Sequence, residues 1–253
     1  MPRRQPPVPD AGVLSKRRYV DTVCQDGGRL ATLAREADLS TPVPSTPDWD
    51  VGALIAHTGW VHRYATAWMA ANGPQRREVV PAASGDLAVW FTEGLDALVA
   101  HLDGCDPDAD VSTFVGEGNY WFWLRRMAHE TAVHRWDAEA ALGIAGPIAT
   151  DVALDGIDEF LTGFHVPHRI GRHFAGDGET LHFHTTDISE GEWYLTRTAE
   201  GVDVERTHAK ADVAARGRAQ DLLLFLWSRT GPDRLEVFGD AAQLDEWQEQ
   251  LNP

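Results

Sequence analysis

No stretch constrains this chain more than Tyr120–Gly143, YWFWLRRMAHETAVHRWDAEAALG. It holds no proline and no internal glycine, is rich in alanine, and ends on Gly143, where a helix stops, so it reads as one helix. Glu130 and His134 stand four residues apart and leave the same helical face one turn apart. Asp137, three residues past His134, stays on that face. An imidazole between two carboxylates, on a helix crowded with tryptophan, is costly to bury, and a bound divalent cation would account for it. The spelling H-E-x-x-x-H excludes the H-E-x-x-H zinc-protease motif. His129 and His134 are five residues apart and point roughly 140° away from each other. The pair able to share an ion is Glu130 with His134, although this spacing also suits a solvated surface pair. A catalytic zinc takes three protein ligands and keeps a fourth position open, so another segment must supply the third.

The preceding chain supplies other helices. Residues 13–37 carry apolar positions at helical spacing, with Gly27–Gly28 a point of weakness. The proline-rich link Thr41–Asp50 cannot be helical, and Asp48 or Asp50 can cap the next helix. That helix, Val51–Ala71, places His57, Val61, Tyr64 and Trp68 on one face and is stopped by Asn72–Gly73–Pro74. Asp86–Leu102 is a third amphipathic helix and Gly104–Asn119 a polar connection. Four such helices form a bundle, in which metal sites are built between facing helices. His57, early on the aromatic face, is the best third ligand. His62 turns elsewhere, and its neighbours suit solvent.

Ala149–His165 reads as a further helix. From Thr180 the period changes to two: Leu181 and Phe183 alternate with His182 and His184, and Trp193 and Leu195 with Tyr194 and Thr196. Val202 and Val204, Ala211–Arg216 and Leu235–Phe238 add strands, and Gln220–Thr230 and Asp240–Gln250 add helices. The pattern is an α+β domain with an antiparallel sheet. Gly171, Gly176 and Gly178 mark a boundary near 168–178, giving domains over 13–167 and 178–252. His165, His168 and His173, near that boundary, read as solvated loop histidines.

Charge narrows the partners. The 22 basic and 39 acidic side chains give a formal net charge of −17, which argues against nucleic-acid and anionic-membrane binding and favours a soluble, well-solvated cytoplasmic protein. No apolar run approaches the ~20 residues that span a bilayer. The N-terminal MPRRQPPVPDAG lacks the apolar core of a signal peptide and reads as a frayed tail. Cys24 and Cys105 are too few and too far apart for a disulfide framework or a redox pair; both read as buried or half-buried thiols.

Two motifs carry a family resemblance. W-x-V-x-x-L-x-x-H (Trp49, Val51, Leu54, His57) and H-E-x-x-x-H-x-W-D (His129–Asp137) resemble the mycothiol-dependent maleylpyruvate isomerase family, a branch of the DinB-like metal-binding bundles. Asp187 with Trp193, Trp227–Ser228–Arg229 and Phe238–Gly239–Asp240 are similar to landmarks of its C-terminal domain, a unit like sterol carrier protein. The resemblance spans about Val13 to Gln250. It implies a DinB-like four-helix bundle followed by a smaller α+β domain, with metal ligands on His57, Glu130 and His134. It further implies an acidic residue at Asp137 near the metal, an arginine at Arg229 that meets a substrate carboxylate, and mycothiol as the thiol cosubstrate; one carboxylate and two imidazoles suit Zn2+ as the divalent metal, with nickel and iron as alternatives. Asp137 alternatively reads as an exposed helix-end residue, and Arg229 as a surface cation at a helix C-terminus.

An open zinc site lowers the pKa of whatever fills its fourth position, and a thiol so held is a nucleophilic thiolate. The expectation is a thiol-dependent isomerase or S-transferase acting on an electrophilic, carboxylate-bearing substrate. Two alternatives stand beside it. One is a metal-dependent hydrolase. The other is a non-catalytic ligand-binding protein with a structural metal, which a fourth ligand such as His62 or Asp137 would favour.

Overall fold

The computed structural model of the chain describes residues 14–76, 80 and 83–251. The expected N-terminal tail, residues 1–12, and Val13 lie outside the described residues. The chain divides into two units, the first ending at Pro147 and the second beginning at Ile148.

In the first unit, helix α1 (Lys16–Glu36) starts at Ser15, whose side chain accepts from the Arg18 amide. It runs unbroken through Gly27–Gly28. Gly27 faces Leu95 so closely that a Cβ would collide with it, so this glycine lets two helices approach instead of weakening one. Helix α2 (Val51–Ala71) is capped by Asp50, whose Oδ1 accepts from Ala53 N at 2.7 Å, and ends on Asn72 in the left-handed region. Helix α3 (Leu87–Gly104) is capped by Asp86. Helix α4 (Tyr120–Ala141) stops before Gly143, whose φ of 73° a side chain would resist.

The helices form a ring in the order α1, α3, α2, α4, which makes α1 and α2 diagonal and sets α2 against α4. Tyr19, Leu30, Leu54, Ile55, Phe91, Leu98, Trp123 and Leu124 fill the centre. Each such side chain removed from water stabilises the fold by about 1.5–3 kcal/mol. The expected polar connection before α4 contains a hairpin, strands β1 (Asp110–Thr113) and β2 (Gly116–Asn119). Trp123 anchors it through a 3.0 Å hydrogen bond from Nε1 to the Ser112 carbonyl. Phe114 at its tip packs 4.6 Å from the Trp123 ring. Charged and glycine residues at its outward positions hid this hairpin from periodicity.

The second unit begins with α5 (Thr150–Asp158), shorter than the expected helix because it widens into a π turn at Glu159–Gly163. A second π turn (Val166–Ile170) and a 3-10 turn (Gly171–Phe174) lead to β3 (Thr180–Thr185), β4 (Glu192–Thr198) and β5 (Gly201–Glu205). Then come β6 (Val213–Gly217), α6 (Ala219–Leu226), β7 (Glu236–Gly239) and α7 (Ala242–Leu251). The strand order is β5-β4-β3-β6-β7. The α+β class holds, but the sheet is mixed: β3 and β6 pair in parallel while the other pairs are antiparallel. Leu181, Phe183, Trp193, Leu195, Val213 and Ala215 present one buried face, onto which α6 packs.

The division between units falls upstream of the expected boundary at 168–178. Helix α5 packs against α6. The glycine-rich segment is tied to β4 by Gly176 N to Thr198 O and Gly178 N to Arg197 O, both 2.9 Å. Those glycines serve a turn inside the second unit, not a linker. His168 and His173 are exposed, as expected. His165 differs: its ring packs 4.6 Å from Phe160 and 4.8 Å from Trp227.

Candidate metal centre

Two helices of the first unit bring His57, Glu130 and His134 together. His134 Nε2 lies 3.2 Å from Glu130 Oε1, and His57 Nε2 lies 3.6 Å from the same oxygen. The three ligand atoms all lie within 4.8 Å of one another. A tetrahedral zinc with bonds of about 2.0–2.1 Å needs donors roughly 3.4 Å apart, so the trio fits such an ion with little adjustment. The His57 and His134 rings stand nearly perpendicular, 5.4 Å between centroids at 87°, so they approach Glu130 from different directions. His57 is the accessible member, its side chain 34% exposed, against 20% for Glu130 and 11% for His134.

Asp137 sits behind the trio. Its Oδ2 accepts from His134 Nδ1 at 3.1 Å, and its Oδ1 accepts from Ser45 Oγ at 2.9 Å. A carboxylate only accepts, so Nδ1 carries a hydrogen. Asp137 is fully buried, its side chain 0% exposed, which removes the exposed helix-end reading.

Electrostatics bind the group together. Burial alone would raise the Glu130 pKa. The neighbouring His134, hydrogen bonds from His134 and His57, and the Arg126 guanidinium outweigh it and hold the carboxyl well below its ordinary range. Burial would likewise lower the His134 pKa, but Glu130 and Asp137 raise it to about 9. Without a cation, a proton on His134 therefore fills the space between Nε2 and Oε1. A divalent cation held by the same atoms would have to displace that proton.

Three contacts of the site escaped the sequence reading, although Trp49 itself belongs to the family motif. Arg126 is buried on α4 with Nη2 3.5 Å from Glu130 Oε2; its spacing of four residues before Glu130 was a usable signal. Trp49 packs against His57 with ring centroids 4.6 Å apart. Ser45, like Trp49, comes from the proline-rich link, which folds back through Val43 N to Trp49 O and Val51 N to Thr41 O, both 2.9 Å. No local periodicity reveals which way such a link turns.

His62 corrects an expectation. It is fully buried, not turned to solvent, and its Nε2 lies 2.9 Å from Thr131 Oγ1. That hydroxyl donates to the Met127 carbonyl at 2.7 Å, so it accepts from His62, and Nδ1 is left as a buried acceptor without a hydrogen-bond partner. Burial lowers the His62 pKa to about 4. His129 falls outside the stripe as expected, packed edge-on to Tyr19 at 6.3 Å. Neither residue whose presence in the shell would favour a structural metal joins the trio. His62 is bonded to Thr131, Asp137 stands behind His134, and neither belongs to the cluster of donors among the described residues.

Cys24 is exposed, contrary to expectation, and Cys105 is half-buried; neither joins the trio. Arg229 belongs to the second unit, just past α6, where its Nη1 donates to the Trp227 carbonyl at 2.7 Å.

A bundle with one His from its second helix and Glu-x-x-x-His from its fourth defines a class of helical proteins able to hold a divalent cation. Comparison with known families assigns the chain on its sequence, over both units. Residues 20–139 match the mycothiol maleylpyruvate isomerase N-terminal domain, and residues 151–246 match the C-terminal domain of the same proteins. The chain belongs to the mycothiol-dependent maleylpyruvate isomerase family. Among solved structures it is similar to a mycothiol-dependent maleylpyruvate isomerase, with 15% identity and a TM-score of 0.61 over 88% of this chain and 93% of that one. A histidine-to-alanine variant of such an isomerase aligns over the same shares with 14% identity and a TM-score of 0.59. At these identities the likeness concerns the fold. No curated protein matches the chain. Among the described residues, no helix is long and apolar enough to cross a membrane.

Proposed function

We propose that the chain is a metal-dependent enzyme using a low-molecular-weight thiol, mycothiol by family kinship. Its reaction is thiol transfer, or thiol-assisted cis–trans isomerisation, of an electrophilic substrate bearing a carboxylate. One observation carries the reading: three donor atoms from two helices converge, while both candidates for a fourth protein ligand are engaged elsewhere. A divalent cation such as Zn2+, when bound there, supplies Lewis acidity and favours the thiolate form of a thiol beside it.

The chain's own residues then have distinct tasks. His57, Glu130 and His134 hold the cation. Asp137 keeps the hydrogen on His134 Nδ1, so Nε2 presents its lone pair. Arg126 adds a positive charge to the histidines that keep Glu130 ionised. Trp49 limits the tilt of the His57 ring. The resemblance supports a further role for Arg229, in which its guanidinium would pair with a carboxylate of the substrate.

The nucleophile comes from solution. Burial raises the Cys105 pKa, and its Sγ lies 3.1 Å from the Leu102 carbonyl, so it stays a thiol. In isomerisation, the cosubstrate thiolate adds to an activated C=C bond, the resulting single bond rotates, and elimination returns the thiolate. In transfer, the adduct takes up a proton and leaves with its C–S bond intact.

Metal analysis tests the site. His57→Ala and Glu130→Ala should each lose one equivalent of metal per chain relative to the unsubstituted protein, and no loss in either would remove it. Titrating the cobalt-loaded chain with mycothiol tests the chemistry. A new sulfur-to-cobalt absorption is expected, whereas an unchanged spectrum would turn the reading to a hydrolase that activates water.

A further inference from the structure

The second unit carries another group of metal-ligating side chains that no part of the thiol chemistry uses. His182 and His184 alternate with Leu181 and Phe183 on β3, so their rings share the face of the sheet opposite the core. Glu192 on β4 stands directly across from His184 in the antiparallel register. His208 reaches the same spot from the segment after β5. That segment is tethered two residues earlier, where Arg206 Nη2 lies 2.7 Å from Asp158 Oδ2.

Distances within the group are short. His184 Nδ1 lies 2.8 Å from Glu192 Oε1, and His208 Nδ1 lies 2.9 Å from Glu192 Oε2. His182 Nε2 lies 3.8 Å from Glu192 Oε2, beyond hydrogen-bond reach. One ligand atom from each of the four residues lies within 4.8 Å of the others.

His182 is the telling member. It is only 5% exposed, and its Nε2 is fully buried with no hydrogen-bond partner. A buried imidazole nitrogen left unpaired is destabilising, and this one is aimed into a cluster of two more imidazoles and a carboxylate. Two glutamate hydrogen bonds explain His184 and His208; they leave His182 unexplained. A shared cation would satisfy all four.

We infer that His182, His184, Glu192 and His208 form a second metal site, distinct from the one on the bundle helices, that takes a divalent transition ion such as Zn2+. Three imidazoles and one carboxylate suit zinc, nickel or copper far better than magnesium or calcium, which demand oxygen donors. With four protein ligands the shell is closed, the pattern of a structural site. Its effect is to pin the segment bearing His208, whose side chain is otherwise 75% exposed, onto β3 and β4.

The test uses the untagged full-length chain, stripped with chelator and titrated with Zn2+ against a chromophoric competitor. His57→Ala/Glu130→Ala removes the bundle site, so zinc still bound by that double variant reports the second site alone. One residual equivalent is expected. Adding His208→Ala, a change at an exposed position that the fold tolerates, should weaken it by more than about 100-fold, beyond what loss of a merely supporting partner costs. Glu192→Gln should do the same. X-ray absorption of the zinc-loaded double variant should show nitrogen and oxygen neighbours with the multiple-scattering signature of three imidazoles. No residual zinc, or residual zinc indifferent to both His208→Ala and Glu192→Gln, overturns the inference. The outcome stands apart from the bundle site: a chain binding one zinc, sensitive to His208 and not to His57, would keep this site while removing the other.

Discussion

The contact between Asp137 and His134 permits a quantitative test of the bundle site. Asp137→Asn keeps the shape: the amide oxygen can still accept from His134 Nδ1, and Ser45 can turn its hydroxyl to accept from the new amide. What disappears is the charge. A hydrogen bond to an ionised partner contributes about 1.5–3 kcal/mol and a neutral one about 0.5–1.5, so the change should cost roughly 1–2 kcal/mol of cation binding. That is a loss of about 5- to 30-fold in affinity, overlapping the lower part of the roughly 10- to 100-fold range for outer partners of ligand imidazoles. Asp137→Ala leaves both Nδ1–H and Ser45 Oγ without this acceptor and should fall at or beyond the upper end.

The pH at which this is measured matters. Asp137 also helps raise the His134 pKa to about 9, so its removal weakens the proton that competes with the cation. Well below pH 9 the two effects partly cancel; at pH 9, where about half of the His134 imidazoles have lost the proton, its competition falls to about twofold and most of the deficit shows. The assay is Zn2+ competition with a chromophoric chelator at pH 7 and pH 9. It is run in a His208→Ala background, so that the second cluster does not contribute. The deficit of Asp137→Asn should be larger at pH 9. Both variants matching the unsubstituted chain within about twofold at pH 9 would refute a role for Asp137 through His134.

Two further predictions concern stability. Arg135 is buried and bonds Asp26 at 3.1 Å, Glu139 at 3.0 Å and the carbonyls of Gly146 and Pro147 at 3.0 Å; Arg135→Ala should cost about 3–5 kcal/mol in urea unfolding, and a loss under about 1 kcal/mol would show the network to be dispensable. His62, with its folded-state pKa depressed to about 4 against 6.5 unfolded, is neutral in the native protein. Its contribution is fully present above pH 6.5 and is lost as pH falls towards 4, by up to about 3 kcal/mol. His62→Gln should flatten that part of the pH–stability curve, and an unchanged slope between pH 6.5 and 4.5 would exclude His62 as its source.

The sequence by itself determined the helices of the bundle and the pairing of Glu130 with His134. Both follow from local rules. Asp50 and Asp86 cap because they precede apolar helical runs, α2 stops at Asn72, and a spacing of four puts two side chains on one face. The strands of the second unit were legible for the same reason, since a period of two is local. Helical spacing put Asp137 on the face of Glu130 and His134 and set His57 on the aromatic face of α2, the family motifs named both, and the folded chain places both beside His134.

Tertiary structure alone decided the rest. His62 looked like a surface residue until α4 supplied Thr131 to cover it. Arg126, Trp49 and Ser45 gain their meaning from partners that only packing brings near. The parallel pairing of β3 with β6 and the gathering of His208 with His182, His184 and Glu192 depend on strand order, which periodicity does not encode. Gly171, Gly176 and Gly178 looked like a linker because a glycine-rich turn and a domain boundary share one composition; the backbone bonds to β4 separate them. A residue's spacing along the chain says which neighbours share its face, whereas the partner opposite that face comes from a distant segment, through contacts that the sequence does not spell out locally.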